Sequence, residues 1–311
     1  MIYTVTMNPS LDKYFVVDHL RSEMINRGSV SEVIAGGKGI NVSRYLKIFG
    51  INSVVLTFTG GYAGQSIVAA LRSSGFSVED FRADGSTREN ITLFNTENSK
   101  IYKLNEYGPT ISSDEIEKLY SRVQTLACEG DIWVLAGSLP PGIKDNFYSE
   151  LIEALHRKKA LVMVDTSGMA LKEAVNARPE YIHANLDEVA EIHGRKLLDR
   201  KSLVDAVQEL IRRFSIKALL CSLGEDGALL ACESEIYSIA APGVQVVSTT
   251  GAGDAMVSAF LFALQKGYSM EEIGKWAVAA GSIKVTVPGT GVFRKKDVQA
   301  IMGKITITRI K

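Results

Sequence analysis

The chain has 311 residues, enough for one large α/β domain with an insertion or for two ordinary domains, and 46% of them are apolar, so a large core can form and disorder is not expected. Lys plus Arg and Asp plus Glu each number 35, a net charge of zero, which argues against a nucleic-acid partner. No apolar run approaches the ~18 residues of a membrane span, and the N-terminus lacks the basic start and apolar stretch of a signal peptide; the expectation is a cytoplasmic protein with no membrane partner. The three cysteines, Cys128, Cys221 and Cys232, form no C-x-x-C pair. Cys221 and Cys232 lie in apolar runs and read as buried reduced thiols. The four histidines, His19, His156, His183 and His193, have no metal-ligand spacing, so a protein-built zinc site is not expected.

Residues 1–7 read as a strand broken by Asn8-Pro9-Ser10. The stretch 10–35 is short-stranded and turn-rich. Ala35-Gly36-Gly37-Lys38-Gly39-Ile40-Asn41 then opens a helix through Val42, Tyr45, Leu46 and Phe49, stopped by Gly50. Val54–Phe58 is a strand, Gly60–Gly64 a glycine turn, and 65–74 a helix ended by Gly75. Residues 85–107 read as a hairpin, Asn90–Phe94 with Ile101–Leu104, around a polar turn at Glu97-Asn98. These two β-only stretches predict a small sheet projecting from the main body.

After an N-cap at Ser112-Ser113 a helix runs to about Cys128. Ile132–Ala136 is continuously apolar, as in a parallel strand covered on both faces. The alternation continues with helix 146–157, strand 160–164, strand 181–184, helices 187–192 and 202–213, strand 218–222 and a hairpin of 228–232 with 236–239. An extended β-branched run, Val244–Thr250, stops at two glycines, and helices 252–266, 271–284 and 295–302 close the chain. The pattern predicts a doubly wound, mostly parallel α/β sheet over 1–311, without internal repeats or long linkers. Ligands then bind at the carboxyl ends of the strands, where the glycine-rich and polar clusters fall.

Among these clusters, Thr250-Gly251-Ala252-Gly253-Asp254 leads into a helix whose apolar residues Met256, Phe260 and Leu264 share one face. Gly251, Ala252 and Gly253 would present backbone N–H groups at a helix N-terminus, where unsatisfied donors and the dipole favour an anion. Asp254 beside them supplies a carboxylate able to take a hydroxyl proton, a pairing suited to phosphoryl transfer; the alternative is a carboxylate that merely complements the dipole. Walker and dinucleotide glycine signatures are absent. Gly36-Gly37-Lys38-Gly39 is either a tight turn or a site where Lys38 meets an anion or a sugar hydroxyl. Arg88 is either a solvated surface arginine or a phosphate clamp. Asn185 and Glu188, three apart, could order the water shell of Mg²⁺; the same spacing makes a capping box.

In order and spacing, Met7-Asn8-Pro9-Ser10-Leu11-Asp12, Gly36–Asn41, Gly137-Ser138-Leu139-Pro140, Asn185-x-x-Glu188, Ser222-Leu223-Gly224-x-x-Gly227 and Thr250–Asp254 resemble the ribokinase-like carbohydrate kinases of the PfkB family along essentially the whole chain. The Asn-Pro-Ser-x-Asp start, Gly36–Asn41 running into Val42-Ser43-Arg44, and Thr87-Arg88-x-Asn90 resemble the 1-phosphofructokinase branch, with tagatose-6-phosphate kinases next. The resemblance implies a ribokinase-like fold with a small β-sheet lid from 10–35 and 85–107, ATP and Mg²⁺ as cofactors, a sugar phosphate as substrate, and a homodimer formed through the lid. It implies Asp254 as base and the Gly251–Gly253 amides as the anion hole. Asp12, Gly37 and Asn41 would hold sugar hydroxyls, and Lys38, Arg88, Asn90 and Ser138 the phosphate already on the sugar. Asn185, Ser222, Gly224, Gly227, Ser248 and Gly281 would line the ATP cleft, with Glu188 near Mg²⁺ through water. Two departures stand out. His183-Ala184 replaces the usual Lys-Pro, and Ser248 replaces an aspartate common in the family, which bears on any monovalent-cation requirement.

Overall fold

The computed structural model describes residues 1–311. The chain begins with β1 (Ile2–Thr6), β2 (Ser10–Val17), β3 (Gly28–Gly36), α1 (Lys38–Ile48), β4 (Ser53–Thr59) and α2 (Gly61–Ser73). It continues with β5 (Ser77–Arg82), β6 (Arg88–Asn95), β7 (Lys100–Asn105) and α3 (Ser113–Leu126). The middle is β8 (Ile132–Ala136), α4 (Phe147–His156), β9 (Leu161–Asp165), α5 (Gly168–Asn176), β10 (Tyr181–Asn185), α6 (Leu186–His193), α7 (Arg200–Phe214) and β11 (Ala218–Ser222). A hairpin of β12 (Ala228–Ala231) and β13 (Ile236–Ala240) precedes α8 (Ala252–Gln265), α9 (Met270–Lys284), α10 (Lys295–Ile301) and β14 (Thr306–Arg309).

Ten strands form one sheet in the order β14-β13-β12-β11-β10-β9-β8-β1-β4-β5. From β11 to β5 neighbouring strands run parallel, and the β12–β14 edge is antiparallel. Strands in the middle are apolar along their length because both faces are covered: Ile132–Ala136 is buried throughout. One face packs on Leu119, Leu151, Leu171 and Leu210 from α3, α4, α5 and α7. The other packs on Tyr45, Phe260 and Trp276 from α1, α8 and α9. Burial of each such side chain stabilises by about 1.5–3 kcal/mol. Helix α8 is apolar almost all round because it lies between the sheet, α1 and α9, with Ala255 through Ala263 buried.

The second sheet has the order β3-β2-β6-β7. It comes from the two stretches expected to form it, but in longer strands, and β2 joins β6 in parallel. Val30, Val33, Tyr102 and Leu104 leave one side of it exposed and apolar.

Three local expectations are corrected. The β-branched run Val244–Thr250 forms no strand; the place beside β13 is taken by β14, and the Val247 and Ser248 amides donate to Val285 O instead. Strands β5 and β14, at the two edges of the large sheet, were not expected: Ser77-Val78-Glu79-Asp80 and Thr306–Arg309 are polar and short, as edge strands are. Cys221 is buried, whereas Cys232, at the end of β12, is only partly covered.

Candidate active site

Helix α8 starts at the carboxyl ends of the parallel strands. Its N-cap, Gly251, has φ 82°, and no side chain caps it. A side chain at Gly251 would meet Tyr45 Oη at 2.8 Å, and one at Gly253 would meet His183 Cε1 at 2.8 Å, so glycine at both positions lets α1 and β10 close on the helix start. The Ala252 amide already donates to Thr249 O at 3.2 Å. The free donors of this terminus are therefore the amides of Gly251, Gly253 and Asp254, a shift of one residue from the Gly251–Gly253 set expected.

Asp254 is buried, and its Oδ2 accepts from Asn41 Nδ2 at 2.8 Å. Asn41 is fixed in turn by Arg44, whose Nη1 donates to Asn41 Oδ1 and Nη2 to Ala35 O, each at 2.6 Å. The start of α1 reaches this depth because Gly37 has φ 125° and a Cβ at Gly39 would lie 3.0 Å from Val5 O. Burial, and then the charge of Asp165, push the Asp254 carboxyl up to about 6 against the pull of Lys38, Asn41 and His183. The helix terminus thus does not keep Asp254 in the ordinary carboxylate range.

Asp165, at the end of β9, is the buried partner of Lys38 and His183. It accepts from Lys38 Nζ at 2.8 Å and pairs with His183 Nδ1 at 3.0 Å. Burial opposes its charge, but Lys38 and His183 outweigh that and hold it well below the usual carboxylate range. Lys38 is shifted upward: the carboxylates of Asp165, Asp254 and Glu188 overcome its desolvation. Asp165 Oδ2 and His183 Nε2 remain buried without a partner, polar atoms left open beside the α8 terminus.

At the small sheet, Asp12 accepts from Ser10 Oγ at 2.7 Å and Asn90 Nδ2 at 2.9 Å. Asp12 and Asn90 face each other across the β2–β6 pair, so Asn90 joins the Asp12 cluster rather than Arg88. Burial raises the Asp12 carboxyl. Arg88 donates to the carbonyls of Asn8 at 3.0 Å, Pro9 at 3.4 Å and Glu106 at 3.4 Å, which places its fork at the joint between the sheets. Ser138 is exposed and makes no hydrogen bond, on a loop whose Gly137 lies against Lys38.

A cleft of about 770 Å³ adjoins the α8 start, and Asn185, Ser222, Gly224, Gly227, Ala252, Gly253 and Gly281 line it. Ser248 does not; its Oγ accepts from Thr250 N at 3.3 Å, and Thr249 faces the cleft. Gly281 is small because Met256 packs on it, a Cβ there lying 2.7 Å from Met256 Cγ.

A buried carboxylate beside open helix donors, a cleft at the strand ends and a polar cluster around Asp12 on a second sheet suit transfer of a phosphoryl group between two bound molecules. The sequence matches the pfkB carbohydrate kinase family over residues 6–296. The chain belongs to the pfkB family of carbohydrate kinases. It is 33% identical over 310 residues, 100% of both chains, to a 1-phosphofructokinase of Bacillus subtilis (strain 168). It is 31% identical, again over 100% of both, to a tagatose-6-phosphate kinase of Staphylococcus epidermidis. Phosphofructokinase-2 from Escherichia coli, solved in complex with potassium, superposes with a TM-score of 0.92 at 30% identity, covering 97% of this chain and 98% of that one. The protein is an ATP-dependent sugar kinase with the ribokinase-like fold.

In this kinase Asn185 and Glu188 form the capping box of α6: Glu188 N donates to Asn185 Oδ1 at 2.9 Å and Asn185 N to Glu188 Oε2 at 2.8 Å. Asn185 is exposed and Glu188 half-buried, and the other oxygen of Glu188 is unengaged. No three His, Cys, Asp or Glu side chains cluster as a metal cage. The residues fit Mg²⁺, which keeps several waters and needs few protein ligands. Asp165, His183 and Arg44 were missed as parts of the site. Asp165 ends an apolar strand, which was its one visible signal; the contacts of Arg44 and His183 are tertiary.

Proposed function

We propose that this kinase transfers the γ-phosphoryl group of ATP to O6 of D-fructose 1-phosphate, giving fructose 1,6-bisphosphate and ADP. The observation that carries the reading is Asp254, buried and held by Asn41, directly beside the uncapped start of α8. The likeness to a 1-phosphofructokinase over the full chain supports the substrate. Asp254 takes the O6 proton as the oxygen attacks phosphorus, and the free amides of Gly251, Gly253 and Asp254 hold the charge on the moving group. Asp12, Gly37, Asn41 and Asn90 hold sugar hydroxyls. Arg88, with Ser138, meets the 1-phosphate, for which its planar fork is suited. The acidic neighbours of Lys38 are Asp165, Asp254 and Glu188, whereas that of Arg88 is Asp12; we therefore assign Lys38 to the transfer end. Mg²⁺, with Glu188 and Asn185 ordering its waters, would neutralise charge on the ATP phosphates. Catalysis is then positioning and charge stabilisation. The small sheet acts as a lid that excludes water, and its exposed apolar side, with Val33, Tyr102 and Leu104, is the seam of a homodimer. The protein works in the cytoplasm, where both substrates are present.

The test is ADP release from MgATP on addition of fructose 1-phosphate. Turnover well above background ATPase is expected, with Arg88→Ala raising the sugar-phosphate KM tenfold or more. ADP release that ignores the sugar phosphate would contradict the reading. Tagatose 6-phosphate, the same site with the sugar reversed, is the second reading, favoured by the relative of that name.

A further inference from the structure

Lys284 is the one lysine with no exposed surface, and it lies at the end of α9 outside the roles above. Its Nζ donates to Gly289 O at 2.8 Å and Val287 O at 3.4 Å. No carboxylate forms an ion pair with it. A Cβ added at Gly251 would lie 3.4 Å from Lys284 Cε, so the side chain passes directly behind the N-cap of α8. The carbonyl-lined ammonium belongs to a loop, 285–291, that touches the site on three sides. Val285 O takes the Val247 and Ser248 amides, Thr290 O takes the Tyr45 hydroxyl at 3.2 Å, and Gly289 packs on the Tyr14 ring of the small sheet.

An isolated buried ammonium is costly, and oxygen dipoles alone repay only part of that cost. A residue in that state has its charge available to something else, and the neighbour it passes is the N-cap of α8. We propose that Lys284 is a built-in cation for phosphoryl transfer: its ammonium holds the 285–291 loop by carbonyl oxygens and adds fixed positive charge behind the anion site made by the Gly251, Gly253 and Asp254 amides. The inference rests on phosphoryl transfer at α8, whichever sugar phosphate is used. It follows that the kinase does not need an added monovalent cation. Lys284 is a positioning residue, since it touches neither reacting group.

The charge has a pH window. Burial lowers the Lys284 ammonium to about 8, against the pull of Asp254. The groups facing it from other elements are Asp254 on α8, Tyr45 on α1 and Tyr14 on β2. Burial raises both tyrosines, Tyr14 to about 12, and Asp254 titrates near 6. Lys284 alone among these loses its proton near pH 8, and kcat falls above that pH.

The test compares wild type, Lys284→Met and Lys284→Ala with the sugar phosphate that wild type turns over best, so failure of the substrate assignment stays separate. Expected are a kcat lower by tenfold or more in both variants, a sugar-phosphate KM within threefold, loss of the alkaline limb, and partial recovery of Lys284→Ala by 100 mM ammonium. Sodium, potassium and ammonium should leave wild type within twofold. A Lys284→Met kcat within twofold of wild type overturns the proposal, as does ammonium that raises the Tm of Lys284→Ala without raising kcat. The wild-type ion titration needs no variant, and tenfold stimulation by potassium overturns the proposal by itself.

Discussion

Helices α6 and α8 both begin at the carboxyl edge of the large sheet and border one cleft, yet their first turns are finished in opposite ways. At α6, Asn185 and Glu188 satisfy each other's amides in a closed capping box. At α8 the cap is a glycine in the left-handed conformation with no side chain to offer, and the amides of Gly251, Gly253 and Asp254 stay open. A capped terminus has used its strongest donors on itself, and an uncapped one keeps them for a ligand. The difference separates structural from chemical use of the same motif. The α6 box stabilises a helix and leaves one Glu188 oxygen unengaged, whereas α8 gives up that stability and keeps its first-turn amides open.

The comparison breaks most visibly at Asp254. Asp254→Asn should lower kcat by about 10³-fold or more, the usual scale for a lost general base, with ATP affinity within about threefold by calorimetry. A kcat within tenfold of wild type would remove Asp254 from that role. Gly253→Ala forces a methyl against His183 Cε1 and should cost about 10²-fold in kcat, as when one anion-hole donor is misplaced, with little change in Tm. The pH profile comes next. Because burial raises the Asp254 carboxyl to about 6, and the base must be ionised, kcat/KM should fall about tenfold per unit below pH 6 and be level just above it. An acid limb near pH 4 would show that Asp254 is not the titrating base. The smallest effect belongs to α6: Asn185→Ala removes a cap worth about 1 kcal/mol, so Tm should fall by about 2 °C, with KM for MgATP rising while kcat stays within threefold.

Much of this contrast was legible in the sequence, because both signals are local. Glycines before an apolar helix mark an uncapped start, and Asn-x-x-Glu marks a capping box. The parallel sheet was equally legible, since strands covered on both faces are continuously apolar, as in Ile132–Ala136. What was hidden depends on partners distant in sequence. Asp165 looks like any polar residue after a strand until Lys38, 127 positions away, closes on it. Asn90 turns to Asp12 because β2 and β6 pair in parallel, which no local pattern shows. The run Val244–Thr250 is rich in β-branched residues, yet its Val247 and Ser248 amides bond to Val285 O, and β14 takes the place beside β13. Lys284 sits in an ordinary amphipathic helix end, and its burial follows from the loop that folds over it.

On the proposed mechanism, a carboxylate and an open helix terminus act on a ketose phosphate held at its far end by Arg88. The most direct measurement is kcat/KM from ADP release with MgATP, offering fructose 1-phosphate, tagatose 6-phosphate and fructose 6-phosphate in parallel. A preference of a hundredfold or more for fructose 1-phosphate is predicted, about 3 kcal/mol of transition-state discrimination. Equal or greater turnover of either 6-phosphate would contradict the assignment, and silence with all three, despite ATP binding, would contradict sugar-phosphate transfer at this site.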